Sequence, residues 1–365
     1  MKFECLLDRC IEVVSLSEKI VGKKESLPVL SCVVIEVNKD IVFKSTNLET
    51  ALELNIEGSI LKRGKIAVPA NIFLQILHST KGKKITLEEE DGNLKIKSKS
   101  GTTIIKSIQT DEFPYFSIQK SDNVYVIKKD VFLNGIQNVH YASSKSMIRP
   151  ELASVYITYV DGKIIFVATD SFRLAEKKFN TQLKNGIPDT LIPTKNALEI
   201  ANIINNINID DIEVIFDESQ IGIYFNNTKI ISRIIDGTFP NYNDIIPKSF
   251  VSEATLLKED ILTVIKKTRV FSGNSQQISF HLYPNKKIFS ITARNSDIGE
   301  MSDTIEAAVS GEDIDIHFNL HYIQDCIQSL KTDSITLQFA GEGKPMVIKS
   351  VSDQLFTYLV MPLNK

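Results

Sequence analysis

The sequence predicts an α+β protein in which one domain, built of antiparallel sheets and two helices, is written three times. Two observations carry this. The stretches VPANIFLQIL (Val68 to Leu77), IPTKNALEIA (Ile192 to Ala201) and FNLHYIQDCI (Phe318 to Ile327) copy one another, with 124 residues from Pro69 to Pro193 and 126 from Pro193 to Asn319. The dipeptides Phe113-Pro114 and Phe239-Pro240 keep the same interval of 126. A period near 125 residues far exceeds that of a solenoid repeat, so each copy is expected to own a core.

The elements follow in the same order in each repeat. From Leu6 to Ile20 apolar residues fall at helical spacing on one wide face, predicting a first helix. Helix-like openings recur at FECLLDRCIEVVSLSEKI from Phe3, VIKKDVFLNGIQNVHYA from Val126 and ATLLKEDILTVIKKTRVF from Ala254. CVVIEV and IVFKSTN (residues 32–47) alternate as strands about a turn at Asn38-Lys39-Asp40, and ALELNIEGSI reads as a single third strand. The second helix follows Val68-Pro69 and is expected to close at Lys81-Gly82-Lys83-Lys84. Asp91-Gly92 and Asp161-Gly162 between alternating runs mark two-residue hairpins, and short turns imply antiparallel pairing. Polar stretches near Gln119 to Asn123 and Lys248 to Glu253 set boundaries, giving domains at 1–119, 124–248 and 251–365.

Composition narrows the class. A chain of 365 residues with 43% hydrophobic and 24% charged residues is large enough for two or three unstapled cores. Cys5, Cys10, Cys32 and Cys326 lack any metal-ligand spacing and read as reduced, buried thiols, in keeping with a cytoplasmic protein. The charged start MKFECLLDRC and the absence of a long apolar run predict neither a signal peptide nor a membrane span. A net charge of −3 argues against a general nucleic-acid coat, though positive charge gathered on one surface would escape this measure.

Catalysis finds no support. There is no P-loop, GxGxxG, HExxH or GxSxG. His317 and His321 are four apart, but a strand-to-helix transition is expected between them, which disfavours a metal pair. Asp210-Asp211 and Asp313/Asp315 are read as solvated, turn-like acids. No enzyme, metal or cofactor is expected.

ATDSFRLA (Ala168 to Ala175), DGTFPNYNDIIP (Asp236 to Pro247), LPVL (Leu27 to Leu30) and the terminal YLVMPL (Tyr358 to Leu363), set in three such domains, resemble the bacterial DNA polymerase III beta subunit, the sliding clamp family, from Met1 to Lys365. The resemblance implies a head-to-tail homodimer in which each chain forms half of a closed ring around double-stranded DNA. Helices would line the hole, and the ring would tether a replicative polymerase subunit, a clamp loader and other clamp-binding peptides without membrane contact. A non-encircling peptide-binding scaffold of the same fold is the alternative.

The resemblance also implies sites. Sequence-independent phosphate contacts fall to Lys24, Arg149 and Lys195, with Lys23, Lys81, Lys145, Asn202, Lys266, Lys267 and Arg269, and on the same helices Lys19, Gln75, His78 and Gln324. Neutral residues at Asn71, Gln75, His78, His321, Gln324 and Gln328 make these contacts weak and salt-sensitive. A hydrophobic peptide groove maps onto Leu152, Thr169, Phe172, Arg173, Leu174, Pro240, Ile245, Val347, Leu359, Met361, Pro362 and Leu363, its last residues free of the interior. Phe172, Asn241 and Asp244 depart from the family pattern. ATDSFRLA is read as unmatched by STNLETAL or ARNSDIGE in the other repeats, marking a single specialised site. Dimer contact is implied at Thr103, Ile105, Val270, Phe271 and Ile278.

Overall fold

A computed structural model describes the chain except for residues 23–26, 115, 119–122, 184–185, 274–275 and 364–365. Two compact bodies emerge from its contacts, one comprising Met1–Lys129 with Lys195–Ile234 and the other Asp130–Thr194 with Ile235–Lys365. Among the described residues there are six α-helices: α1 (Leu7–Ile20), α2 (Ala70–Ser79), α3 (Lys129–Val139), α4 (Thr194–Asn205), α5 (Lys258–Phe271) and α6 (Leu320–Ser329). Among the described residues all strand pairs are antiparallel.

In the first body a five-stranded sheet runs Gly58–Lys62, Lys2–Leu6, Lys84–Glu90, Asn93–Ser98, Gly101–Ile105. An eight-stranded sheet joins Tyr125–Lys128, Asp211–Phe216, Gln220–Phe225 and Thr228–Arg233 to Thr50–Ile56, Ile41–Thr46, Cys32–Val37 and Gly64–Pro69. The seam lies between Thr228–Arg233 and Thr50–Ile56, where Ala51 faces Ile231. Helix α1 buries Cys10, Val13, Val14, Ser17 and Ile20, a three-and-four spacing that turns one face to the core. Ser17 is tolerated there because its hydroxyl donates to Val13 O at 2.9 Å.

The second body repeats the plan. A nine-stranded sheet runs Thr190–Pro193, Ser154–Val160, Lys163–Thr169, Arg173–Asn180, Phe356–Val360, Met346–Ser350, Ser334–Phe339, Ser252–Leu257, Ala307–Gly311, with its seam at Leu174 opposite Leu359. A four-stranded sheet runs Gly299–Ile305, Ile288–Asn295, Gln277–Tyr283, Ile314–Asn319.

Both expected hairpins form, with φ of 49° and 74° at Asp91-Gly92 and 50° and 75° at Asp161-Gly162, the paired left-handed conformation of a two-residue turn. Four expectations are corrected. Each helical opening begins with a strand, Lys2–Leu6, Tyr125–Lys128 or Ser252–Leu257, and only then turns helical. ALELNIEGSI is two strands in different sheets, broken at Glu57. Gly58 permits the crossing, since a Cβ there would lie 2.4 Å from Glu4 O and 2.7 Å from Ile41 Cδ1. Helix α2 stops at Ser79 with Thr80 as its extended cap, so Gly82, at φ 130°, serves the following loop and not the helix end. Asp211 and Asp315 lie in strands, Asp315 accepting from Tyr283 Oη at 2.8 Å and bonding His281 Nδ1 at 2.5 Å.

The expected strand-to-helix change between His317 and His321 is present: Asn319 caps α6 by accepting from the backbone N–H of His321 at 2.9 Å and of Tyr322 at 3.4 Å. All four cysteines are buried and free. Among the described residues no helix is long and apolar enough to cross a membrane.

Candidate functional site

The turn between Lys163–Thr169 and Arg173–Asn180 carries the exposed Phe172. Thr169 Oγ1 donates to Arg173 O at 2.6 Å and accepts from Ser171 N at 3.2 Å. Asp170 Oδ1 accepts from Phe172 N and Arg173 N, both at 3.0 Å, and Ser171 takes φ 77°. The same turn stands in the first body. Thr46 Oγ1 donates to Thr50 O at 2.9 Å and accepts from Leu48 N at 3.0 Å, Asn47 Oδ1 accepts from Glu49 N and Thr50 N, and Leu48 takes φ 73°. The reading of ATDSFRLA as unmatched is therefore corrected: the backbone device is copied in STNLET. What differs is the side chain it presents, a 62% exposed Phe172 where the first repeat has Glu49.

Arg173 is consumed internally. It is 5% exposed, donates from Nε to Asp170 Oδ2 at 2.9 Å and from Nη1 to Asp325 Oδ2 at 2.8 Å, and lies 4.3 Å above the Tyr322 ring. Burial opposes its charge, yet the neighbouring Tyr358, Asp325 and Asp170 outweigh it and raise the guanidinium pKa. It ties the sheet to α6 and fixes the turn that carries Phe172. Sequence reasoning missed Asp325 and Tyr322, which sit on a helix more than 140 residues away and carry no local signal.

Beside this turn the predicted groove residues separate into floor and rim. Leu174, Val347 and Leu359 are buried neighbours across three strands, in one apolar cluster with Ile165, Val167, Leu191, Phe239 and Tyr242. Leu152 is also buried, at 4% exposure. These four lie beneath the surface as floor. Phe239 stacks on Tyr156 at 4.7 Å, and the Tyr242 hydroxyl donates to buried Glu176 Oε2 at 2.8 Å, which holds the Phe239–Tyr242 segment against the sheet. Burial first, then the Glu176 carboxylate, pushes the Tyr242 pKa up and keeps the phenol a donor.

The rim is what solvent meets. Phe172, Pro240, Ile245 (50%) and Met361 (37%) are exposed, with Pro362 and Leu363 half-buried. The last described residues stay out of the interior, yet their backbone is tied to the fold: Met361 N donates to Phe172 O and Leu363 N to His317 O, each at 2.8 Å. Asn241 Nδ2 donates to Asp244 Oδ2 at 2.8 Å beside this rim. Aromatic, proline and thioether surface is thus exposed over a tightly packed floor.

The predicted phosphate contacts fall into three groups. Lys23 and Lys24 lie outside the described residues. Arg149 bonds Glu151 at 2.9 Å, Lys267 bonds Asp303 at 2.7 Å, and Lys195 stands 4.0 Å from Glu199. Lys19, Lys81, Lys145, Lys266 and Arg269 are exposed and, among the described residues, make no ion pair; Asn202 is exposed on α4.

At the predicted contacts between copies, Thr103 is exposed on Gly101–Ile105, an edge of the five-stranded sheet. Ile105 is buried at 5%, opposite Leu94, and the outward apolar residue is Ile104 at 60%. Ile278 is fully buried, opposite Phe318. Strand alternation places both inside, so they are withdrawn from the contact. Val270 is 58% exposed, and Phe271 is half-buried at the end of α5 beside Gly299 on the edge strand Gly299–Ile305.

Against this geometry, comparison with known families is decisive. Models of the DNA polymerase III beta subunit match the chain three times in order: the N-terminal domain over residues 1–117, the central domain over 126–241 and the C-terminal domain over 243–364. The chain belongs to the DNA polymerase III beta subunit family. Among relatives of this family, the beta sliding clamp of Staphylococcus epidermidis is 23% identical over 375 aligned residues, covering 100% of this chain and 99% of the relative. That of Staphylococcus aureus is 22% identical over the same span. Solved beta subunits share the fold: that of Thermotoga maritima at a TM-score of 0.94 and 22% identity, and the Bacillus subtilis sliding clamp at 0.93 and 23%, each covering 100% of this chain and 99% of the other.

Proposed function

We propose that the protein is a DNA sliding clamp: two copies close head to tail into a ring around duplex DNA and tether the replicative polymerase and its loader through the Phe172–Met361 rim. The match of all three family models in order along the chain carries this reading. The three repeats, at 1–119, 124–248 and 251–365, are its domains. A heterologous contact used twice closes a two-fold ring. The surfaces for it are the edge strand bearing Thr103 and Ile104 on one copy and Val270, Phe271 and the edge strand Gly299–Ile305 on the other.

Retention by enclosure makes tight grip unnecessary, and tethering raises the local concentration of a weakly bound partner. A net charge of −3, with several candidate cations already paired, suits contacts that centre a duplex without reading it. The reading assigns no catalytic role. Native mass together with retention on circular and linearised DNA tests it. The expected result is a dimer that stays on circles and slides off cut DNA, whereas a monomer that captures polymerase peptides but is never retained would establish the non-encircling scaffold.

A further inference from the structure

Helices α5 and α6 pack against each other in the second body, and between them lies a notch of about 160 Å³ lined by Leu262, Ile265, Lys266, Arg269, Gln324 and Gln328. We infer that this notch seats one backbone phosphate of the enclosed duplex, so that DNA meets a discrete anion site here and not only a diffuse positive face. The inference rests on the clamp reading above and deepens it.

Four observations support it. Leu262, Ile265, Lys266 and Arg269 follow at intervals of three, one and three, which puts them on one face of α5; Gln324 and Gln328 are one turn apart on α6. Lys266 and Arg269 are exposed and, among the described residues, make no ion pair, whereas the intervening Lys267 is drawn away to Asp303 at 2.7 Å. Ile265 is 2% exposed and Leu262 half-buried, so the floor is apolar and offers an oxyanion no competing acceptor. Asp325, the acid nearest the glutamines in sequence, is held by Arg173 at 2.8 Å. Two cations and two carboxamides thus supply N–H donors around a small space, the complement of a tetrahedral oxyanion.

The device belongs to one repeat. Matched from the helix starts, the positions of Lys266, Arg269, Gln324 and Gln328 hold Ser15, Glu18, Leu74 and His78 in the first repeat and Gln137, His140, Leu198 and Asn202 in the second. Neither set contains a lysine or arginine. The two glutamines, which left α6 looking poorly basic, become the neutral half of the seat.

The test uses the full-length protein with Lys266→Gln, Arg269→Gln and the double variant, and as control Lys344→Gln, an exposed lysine outside the predicted phosphate contacts. Inorganic phosphate should shift the side-chain amide resonances of Gln324 and Gln328 in the parent and not in the double variant. In duplex binding, the slope of log K against log salt should fall by about 1 in the double variant, one phosphate's worth, and stay unchanged in Lys344→Gln. An unchanged slope in the double variant, or an equal loss in the control, overturns the inference. Amide shifts with inorganic phosphate but no change in slope would mark a free-oxyanion site and overturn the assignment to DNA. If the parent itself is not retained on circular DNA, the clamp reading fails instead, and the phosphate titration still reports on the notch.

Discussion

Replacing Arg173 with methionine removes the charge while keeping an unbranched apolar stem. The guanidinium is 5% exposed and answers two carboxylates, Asp170 at 13% exposure and Asp325 at 39%. Removing one partner of a buried ion pair costs about 3 to 5 kcal/mol, because the remaining charge stays desolvated. Asp325 can recover water, which lowers the figure, while the lost stacking on Tyr322 at 4.3 Å adds on the order of 1 kcal/mol. The expected loss is about 3 kcal/mol, read by urea unfolding followed by far-ultraviolet circular dichroism. Because Asp170 Oδ1 also holds the Phe172 and Arg173 amides, peptide capture at the rim should weaken in the same variant. Combining Arg173→Met with Asp325→Asn should recover part of the loss, since one stranded carboxylate is then neutral. A loss below about 1 kcal/mol, or strict additivity of the two changes, would refute the view that this arginine locks the turn to α6.

Phe172→Ala should leave stability within about 0.5 kcal/mol, as befits a 62% exposed side chain, yet weaken binding of a polymerase-derived peptide about tenfold in fluorescence anisotropy. Gly92→Ala should cost about 1 kcal/mol in urea unfolding: nothing lies within 4 Å of the added Cβ, so the cost is that of φ 74° for an L-residue. Hydrogen bonds from Lys97, then Lys2, hold the Glu88 carboxyl down to about 2 against an ordinary 4.5. A carboxyl depressed by folding stabilises above its unfolded value, so this contribution is whole above pH 4.5 and lost as pH falls toward 2. Glu88→Gln should flatten that part of the acid-unfolding profile.

Local signals were legible wherever local chemistry decides the outcome. Asp91-Gly92 and Asp161-Gly162 formed their turns because only that pairing suits a two-residue reversal between twisted strands. The first helix began within a residue of Leu6 because its apolar face is continuous. Failures came where partners are distant or direction depends on strand parity. The break in ALELNIEGSI falls where the chain leaves one sheet to pair with the distant strand Lys2–Leu6, a partner that no neighbouring residue announces. Ile105 and Ile104 differ by one position and therefore by a whole face. At the site, the ATDSFRLA motif located the turn correctly, but its hydrogen bonds proved a shared scaffold, visible only when Thr46 and Thr169 are seen to make the same contacts. The α5–α6 notch was half legible, its cations on a helical stripe and its glutamines waiting on a second helix.

The seams in the two large sheets bear on how the chain can be divided. Residues 211–233 complete a sheet begun by residues 32–69, while residues 154–193 share another with residues 252–360, so the middle repeat lends its halves to different compact bodies. Excised at its sequence borders, that repeat would bare the strands Thr228–Arg233 and Arg173–Asn180 along one side each, raw backbone seeking a mate. The sequence repeats near every 125 residues, but the compact bodies run across that period, and a truncation obeying the repeat would cut through both.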